Sequence, residues 1–181
     1  MKVYHWILLL LTTLIVWGIW VVATTPFMTI NGISVYDGYD YLKKELLNQP
    51  NIELYDEDTP IVPMGDYKFI LSQNPFSIKL ESIDSLSHQD YLNVVEFIAK
   101  DYRVEPILEG HESFFRLYNR ERERISEYNQ NWRAFSDIIG VATDYGDGAL
   151  FELDKYNYIF IGYTSNYHTD QVHILYYVLY E

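Results

Sequence analysis

The stretch from Tyr4 to Ala23 constrains this chain more than any other. Within YHWILLLLTTLIVWGIWVVA only His5, Thr12, Thr13 and Gly18 interrupt large apolar side chains. Wound as an α-helix, the segment is roughly 30 Å long at about 1.5 Å per residue, the thickness of a bilayer's hydrocarbon core. Two fates are open to it. A cleaved signal peptide has a basic start, an apolar core of about 7–15 residues and small residues before the cut. Lys2 supplies the basic start and Val21-Val22-Ala23 a passable cut site, but the apolar run is long and Trp17 and Trp20 are bulky there. An uncleaved anchor accounts better for the length. It also accounts for Trp6 near one end and Trp17, Trp20 and Phe27 towards the other, since tryptophan and its like settle at membrane–water interfaces. With Lys2 before the segment and no further Lys or Arg until Lys43, the positive-inside tendency puts the amino terminus in the cytoplasm and the rest outside it. The expected organisation is therefore an anchor over residues 1–25, with membrane residues 4–23, and an extracytoplasmic domain over residues 26–181.

That domain is long enough for one core and short for two. Past Ala23 it carries 12 basic and 26 acidic residues, a formal charge of −14. Such a field disfavours nucleic acid and anionic headgroups and favours a cationic partner, although acidity also keeps a domain soluble. The absence of cysteine excludes disulfides, thiolate metal sites and a cysteine nucleophile.

In chain order, Asn31-Gly32 between short β-prone runs predicts a hairpin, because both turn positions need positive φ. Asp37 offers a cap for a helix over Tyr39 to Asn48, which Pro50 stops. Asn51 to Tyr55 reads as extended, and the acidic Asp56-Glu57-Asp58 as a solvated loop lacking the calcium-loop pattern. Tyr67 to Leu71 and Phe76 to Ile83 read as strands. Ser87 with Asp90 resembles a capping box ahead of Tyr91, Val94, Val95, Ile98 and Tyr102 at helical spacing. Arg103 to Leu108 is a further extended piece, so strand, helix and strand together allow a crossover unit. Glu112 to Ile139 is the longest helical pattern, with Phe114, Tyr118, Ile125, Tyr128, Trp132, Phe135 and Ile139 on its stripe and Gly140 at its end. Asp147-Gly148 reads as a turn, and Ala149 to Leu153, Tyr156 to Tyr163 and Val172 to Tyr180 as an antiparallel meander. The fold class is α+β: an N-terminal transmembrane helix, then a mostly antiparallel sheet with two or three helices packed on one face.

Candidate chemistry is sparse. His111-Glu112 opens the long helix as a zinc protease motif does, but that motif needs a second histidine one turn on, where Phe115 stands. His168, Asp170 and His173 are suitable residue types spread over a turn and a strand start, and Asp144 and Asp147 read as turn residues. No nucleophile elbow, phosphate loop or dinucleotide fingerprint occurs. No cofactor and no metal site is expected. Arg116, Arg120 and Arg124 recur one turn apart as a basic line, either paired with Glu121, Glu123 and Glu127 or free to meet an acidic partner. The sequence thus points first to a membrane-tethered interaction module of immunity or inhibitor type that binds a protein, with the negative field favouring a basic one. Its alternatives are an envelope hydrolase using carboxylates or His111, and a single-pass subunit whose anchor packs through Thr12, Thr13 and Gly18.

Overall fold

The structure, a computed structural model, describes residues 10–15, 28–74, 77–110, 112–113, 138, 141–142, 144–154, 156–165 and 169–178. Residues 10–15 are helical and exposed. Among the described residues no helix is long and apolar enough to cross a membrane, and the rest of the 4–23 segment lies outside them.

The domain begins with the expected hairpin, β1 (Thr29–Ile30) against β2 (Ile33–Ser34). Asn31 and Gly32 take φ of 51° and 75°, the left-handed pair that matches strand twist in a two-residue turn. The hairpin is tied down at once. Met28 is fully buried, and the Tyr102 hydroxyl donates to Thr29 O at 2.7 Å while accepting from Thr29 N at 3.3 Å.

Helix α1 (Tyr39–Leu47) follows, burying Leu42 and Leu46. Asp37 is not its cap. Gly38, at φ 85°, takes the N-cap position with no side-chain bond, so glycine's conformational freedom starts this helix. The Asn51 to Tyr55 stretch forms no named strand and carries an isolated antiparallel bridge from Leu54 to Pro60.

A seven-stranded sheet forms the centre, ordered β3-β4-β5-β9-β8-β7-β6 with every neighbouring pair antiparallel. Its strands are β3 (Ile61–Met64), β4 (Tyr67–Asn74), β5 (Ser77–Ser82), β6 (Leu108–Glu109), β7 (Asp147–Asp154), β8 (Asn157–Ser165) and β9 (Asp170–Val178). Helix α2 (His88–Tyr102) starts with the predicted capping box: Ser87 Oγ accepts Asp90 N–H at 3.2 Å, and Ser87 N–H donates to Asp90 Oδ2 at 2.9 Å. The Ser87 hydroxyl, donating to Asp90 Oδ2 at 2.6 Å, then the Ser87 N–H and then the Tyr67 hydroxyl hold the Asp90 carboxyl below the usual carboxylate range. The helix buries Tyr91, Val94, Val95 and Ile98, each contributing about 1.5–3 kcal/mol.

The crossover from β5 through α2 reaches β6, which runs parallel to β5 but with β9, β8 and β7 between them. The last three strands then step back across that gap. Residues Ile78–Glu81 of β5 meet Tyr176–His173 of β9, closing the sheet between segments far apart in sequence.

The sheet is covered on both faces, not one. One face packs with α1, α2 and the hairpin through Phe69, Leu80, Phe151, Ile159, Ile161 and Ile174. The other buries Ile138, Ala142, Leu150, Tyr158, Phe160, Leu175 and Tyr177. Two-sided burial explains why β8 reads Tyr-Ile-Phe-Ile without polar alternation, whereas β5 keeps Lys79 and Glu81 on its second face. Helical geometry at 141 and 142 lies beyond the Gly140 stop. Nor is Asp147-Gly148 a turn: both residues belong to β7, with Gly148 directly opposite Gly162. A Cβ at Gly148 would lie 2.7 Å from the Phe160 ring, and one at Gly162 only 2.4 Å from the Tyr145 ring. Those glycines are there to seat aromatic rings on the strands.

Both sheet edges resist strand addition. Ile61 N–H points away from β4 and is taken by Glu53 O at 2.9 Å. The next outward-facing position on β3 is Pro63, which has no N–H to offer. At the opposite edge, β6 is two residues long.

Candidate functional site

A built surface lies beside the β3 edge. The loop from Glu53 to Pro60 is closed by Tyr55 N–H to Thr59 O at 2.9 Å and by Asp56 Oδ1, which accepts from Asp58 N–H at 3.1 Å and Thr59 N–H at 2.9 Å. A bond from the Thr59 hydroxyl first, and then the Asp58 N–H, lower the Asp56 carboxyl below its ordinary range, so it stays ionised. Lys43 on α1 pairs with Asp58 at 2.7 Å and Lys68 on β4 with Glu53, fastening the loop at both flanks. At its head Leu54 and Tyr55 are 46% and 57% exposed, unusual for consecutive large apolar residues on a tightly bonded turn. A cleft of about 210 Å³ opens beside it, lined by Pro50, Ile52, Ile61 and Pro63 with Glu53 and Lys68 among its polar groups. Gln49 Nε2 donating to Asn31 O at 3.1 Å joins the helix end and hairpin that wall it.

A second constellation joins α2 to β7. His88 Nε2 lies 2.8 Å from Asp147 Oδ2, and Asp147 Oδ1 also accepts Gly148 N–H at 2.8 Å. The imidazole packs against Tyr91 and Tyr163 at ring-centroid distances of 5.4 and 5.3 Å. Burial, reinforced by the Asp147 and Glu109 carboxylates, raises the Tyr91 hydroxyl's pKa and keeps it protonated. A carboxylate-oriented imidazole is the geometry of a general base. Here no hydroxyl is hydrogen-bonded to the ring among the described residues, and the pair fastens the first turn of α2 to the sheet.

A third lies on the second sheet face. His173 is 7% exposed, opposite Glu81 on β5 and Gly162 on β8. Its Nδ1 sits 3.5 Å from Glu81 Oε1 without a hydrogen bond, and its ring meets the Tyr145 ring edge-on at 5.4 Å. Lys79 pairs with Glu81 at 2.5 Å. Burial first, then the Lys79 charge, depress the imidazole to about 4, against a smaller opposing pull from Glu81. Tyr145 is pushed up to about 12, by burial and then by Glu81. This imidazole is neutral at physiological pH and faces protein, not solvent.

Of the sequence candidates, Glu112 is helical and exposed at the start of a turn in which Ser113 N–H donates to Gly110 O at 3.0 Å. His111, Arg116, Arg120, Arg124 and His168 lie outside the described residues, as does the apolar stripe from Phe114 to Phe135. Among the described residues no group of three or more His, Asp or Glu is placed to hold a metal ion. Asp170 opens β9 and is not brought together with His173, three residues on, whose side chain points to the other face. Sequence reasoning missed the His88–Asp147 pair, whose members are 59 residues apart, and no local signal joins them. No family model matches the chain, and neither a curated protein nor a solved structure does.

Proposed function

We propose that this chain is a membrane-tethered, extracytoplasmic protein-interaction module, anchored by residues 4–23 and acting on a protein partner in the manner of an immunity or inhibitor protein. One observation carries the reading: a single apolar segment precedes a folded domain of net charge −14 that displays large apolar side chains on a hydrogen-bonded acidic loop. Rigid presentation favours binding because little side-chain and loop entropy is lost on contact. Excess negative charge steers a cationic partner and repels anionic ones.

A fusion of an export-dependent reporter after Glu181 is expected to be active, with residues 1–23 retained in the membrane fraction. Activity of a cytoplasm-dependent reporter at the same position would overturn the reading. A soluble product starting near Thr24 would remove the tether and leave the export. A second reading, an envelope hydrolase, draws on the His88–Asp147 pair, not on His111. Replacing His88 by Ala with loss of biological effect and unchanged melting would favour it.

A further inference from the structure

We infer that the domain stands on the bilayer by the end at which α2 finishes, with lipid headgroups as the occupant of the surface around Thr29, and that the end carrying His88 and Asp147 faces away from the membrane. The anchor of the interaction-module reading underlies this orientation, which adds the surface that the lipid takes.

The sheet and α2 define two ends. Strand β8 is nine residues long, about 30 Å at roughly 3.3 Å per residue. At one end Asp154 pairs with Asn157, and Asn157 with Val178. At the other Asp147 lies opposite Tyr163, and Ser165 opposite Asp170. Helix α2 runs from the second end to the first. His88 at its start bonds Asp147, and Tyr102 at its close takes both backbone polar groups of Thr29. Tyr176, near the close of β9, sits beside Tyr102. The chain therefore enters the domain at the end where α2 and β9 finish, and the buried Met28 holds it there. Residues 24–27 alone separate Met28 from Ala23. Crossing a headgroup layer about 5–8 Å deep takes up much of what four residues can span. With residues 4–23 in the hydrocarbon, the surface around Thr29 stays close to the headgroups, and the His88 end lies beyond it by the length of the sheet.

Charge favours the same orientation. At the close of α2 and in the β7–β8 connection acids alternate with bases, as Lys100-Asp101-Tyr102-Arg103 and Asp154-Lys155-Tyr156-Asn157. Asp154 is also bonded within its own turn, accepting Tyr156 N–H at 2.8 Å and an Asn157 Nδ2 hydrogen at 2.7 Å. At the opposite end, residues 82–88, 144–147 and 165–170 include Asp84, Asp144, Asp147 and Asp170 and no Lys or Arg. An end of mixed charge tolerates headgroups, whereas an end of one negative sign is repelled by any leaflet that holds anionic lipid. Tyr156 in that connection, and Tyr36 beside the Val35 whose N–H bonds Met28 O, are half-buried. A phenol's apolar body and polar tip suit headgroup depth.

The chain has no cysteine, so single cysteines carry labels without background. Asp101→Cys and Asp84→Cys, both at exposed positions, put one fluorophore at each end. Lys100→Cys and Gln89→Cys, also exposed, repeat the comparison at a second pair of positions. Each is carried by the full-length chain in zwitterionic nanodiscs whose headgroups bear a spin-label quencher. The fluorophores at 101 and 100 are expected to be quenched several-fold more than those at 84 and 89. Adding phosphatidylglycerol should keep that order and widen the gap at low salt. Equal quenching at the two ends, stronger quenching at 84 and 89, or an order that reverses with anionic lipid overturns the proposal. A chain that does not stay with the nanodiscs removes both the tether and the orientation. Two outcomes separate one from the other. Retention in the nanodiscs with position 84 the more quenched leaves the tethered module and removes this orientation. A reporter fusion that proves cytoplasmic, with position 101 still the more quenched, leaves the orientation and removes the extracytoplasmic module.

Discussion

Acidification should reveal His173. Its imidazole is ordinarily half-protonated near 6.5, and burial beside Lys79 depresses that to about 4 in the folded chain. Between those values the unfolded state binds more protons than the native state, so stability is complete above about pH 6.5, falls as the pH is lowered, and stops falling below about pH 4. From about pH 7.5 to about pH 4.5 the loss is roughly 2–3 kcal/mol, a large part of an ordinary domain's stability. The groups that face the ring decide the figure. Lys79 resists the proton from β5, Glu81 invites it from the same strand, and the Tyr145 ring excludes water from the opposite side. Two measurements check it. The imidazole resonance that disappears in His173→Gln should titrate near 4 in the wild type. Guanidinium unfolding should then show an acid-induced loss in the wild type that exceeds the variant's by roughly 2–3 kcal/mol. Comparing slopes removes the carboxylates common to both proteins, such as Asp56 and Asp90. A midpoint at 6 or above, with equal losses in the two proteins, would refute the reasoning: the Glu81 carboxylate would then be compensating the charge that burial is claimed to exclude.

Gly162→Ala places a methyl group inside the Tyr145 ring and should cost about 1–3 kcal/mol in unfolding experiments. Adding Tyr145→Ala should recover part of that cost, and strictly additive losses would show that the two do not touch. Ser87→Ala removes the acceptor for Asp90 N–H and should lower stability by about 1 kcal/mol, with Ser87→Asn nearly neutral. An unchanged midpoint for Ser87→Ala would mean that the helix start is held by the Tyr67–Asp90 bond instead.

Local chemistry made several elements readable in the sequence. Asn31-Gly32, the Ser87–Asp90 box and the three C-terminal strands all declare themselves within a few residues, because turn dihedrals, caps and short β-prone runs bounded by polar connections are short-range features. β3 escaped notice because Pro60 and Pro63 break its pattern, and only its place at the sheet edge makes Pro63 tolerable. Gly148 was misread because glycine signals a turn as readily as a site where a ring presses on a strand. Two-sided cover was present in the unbroken apolar run of β8, but such a run does not say what lies over it. The acidic loop was legible as a loop. That Leu54 and Tyr55 face solvent was not, since apolar residues before a charged turn ordinarily point inward. His88–Asp147 and Glu81–His173 depend on strand order, which no local pattern encodes.

The buried Met28 and the Thr29–Tyr102 bonds carry a consequence for reach. They fix the point at which the chain leaves the domain, and four residues separate it from Ala23. With residues 4–23 in a bilayer, a connection that short spans at most roughly 15–18 Å even when fully extended. The domain would sweep only a thin layer against the membrane and could not search the space beyond it. A partner in the same membrane would meet it in two dimensions at high effective concentration, so a modest intrinsic affinity would suffice there. A freely diffusing partner would gain nothing from the tether and would have to bind by contact alone.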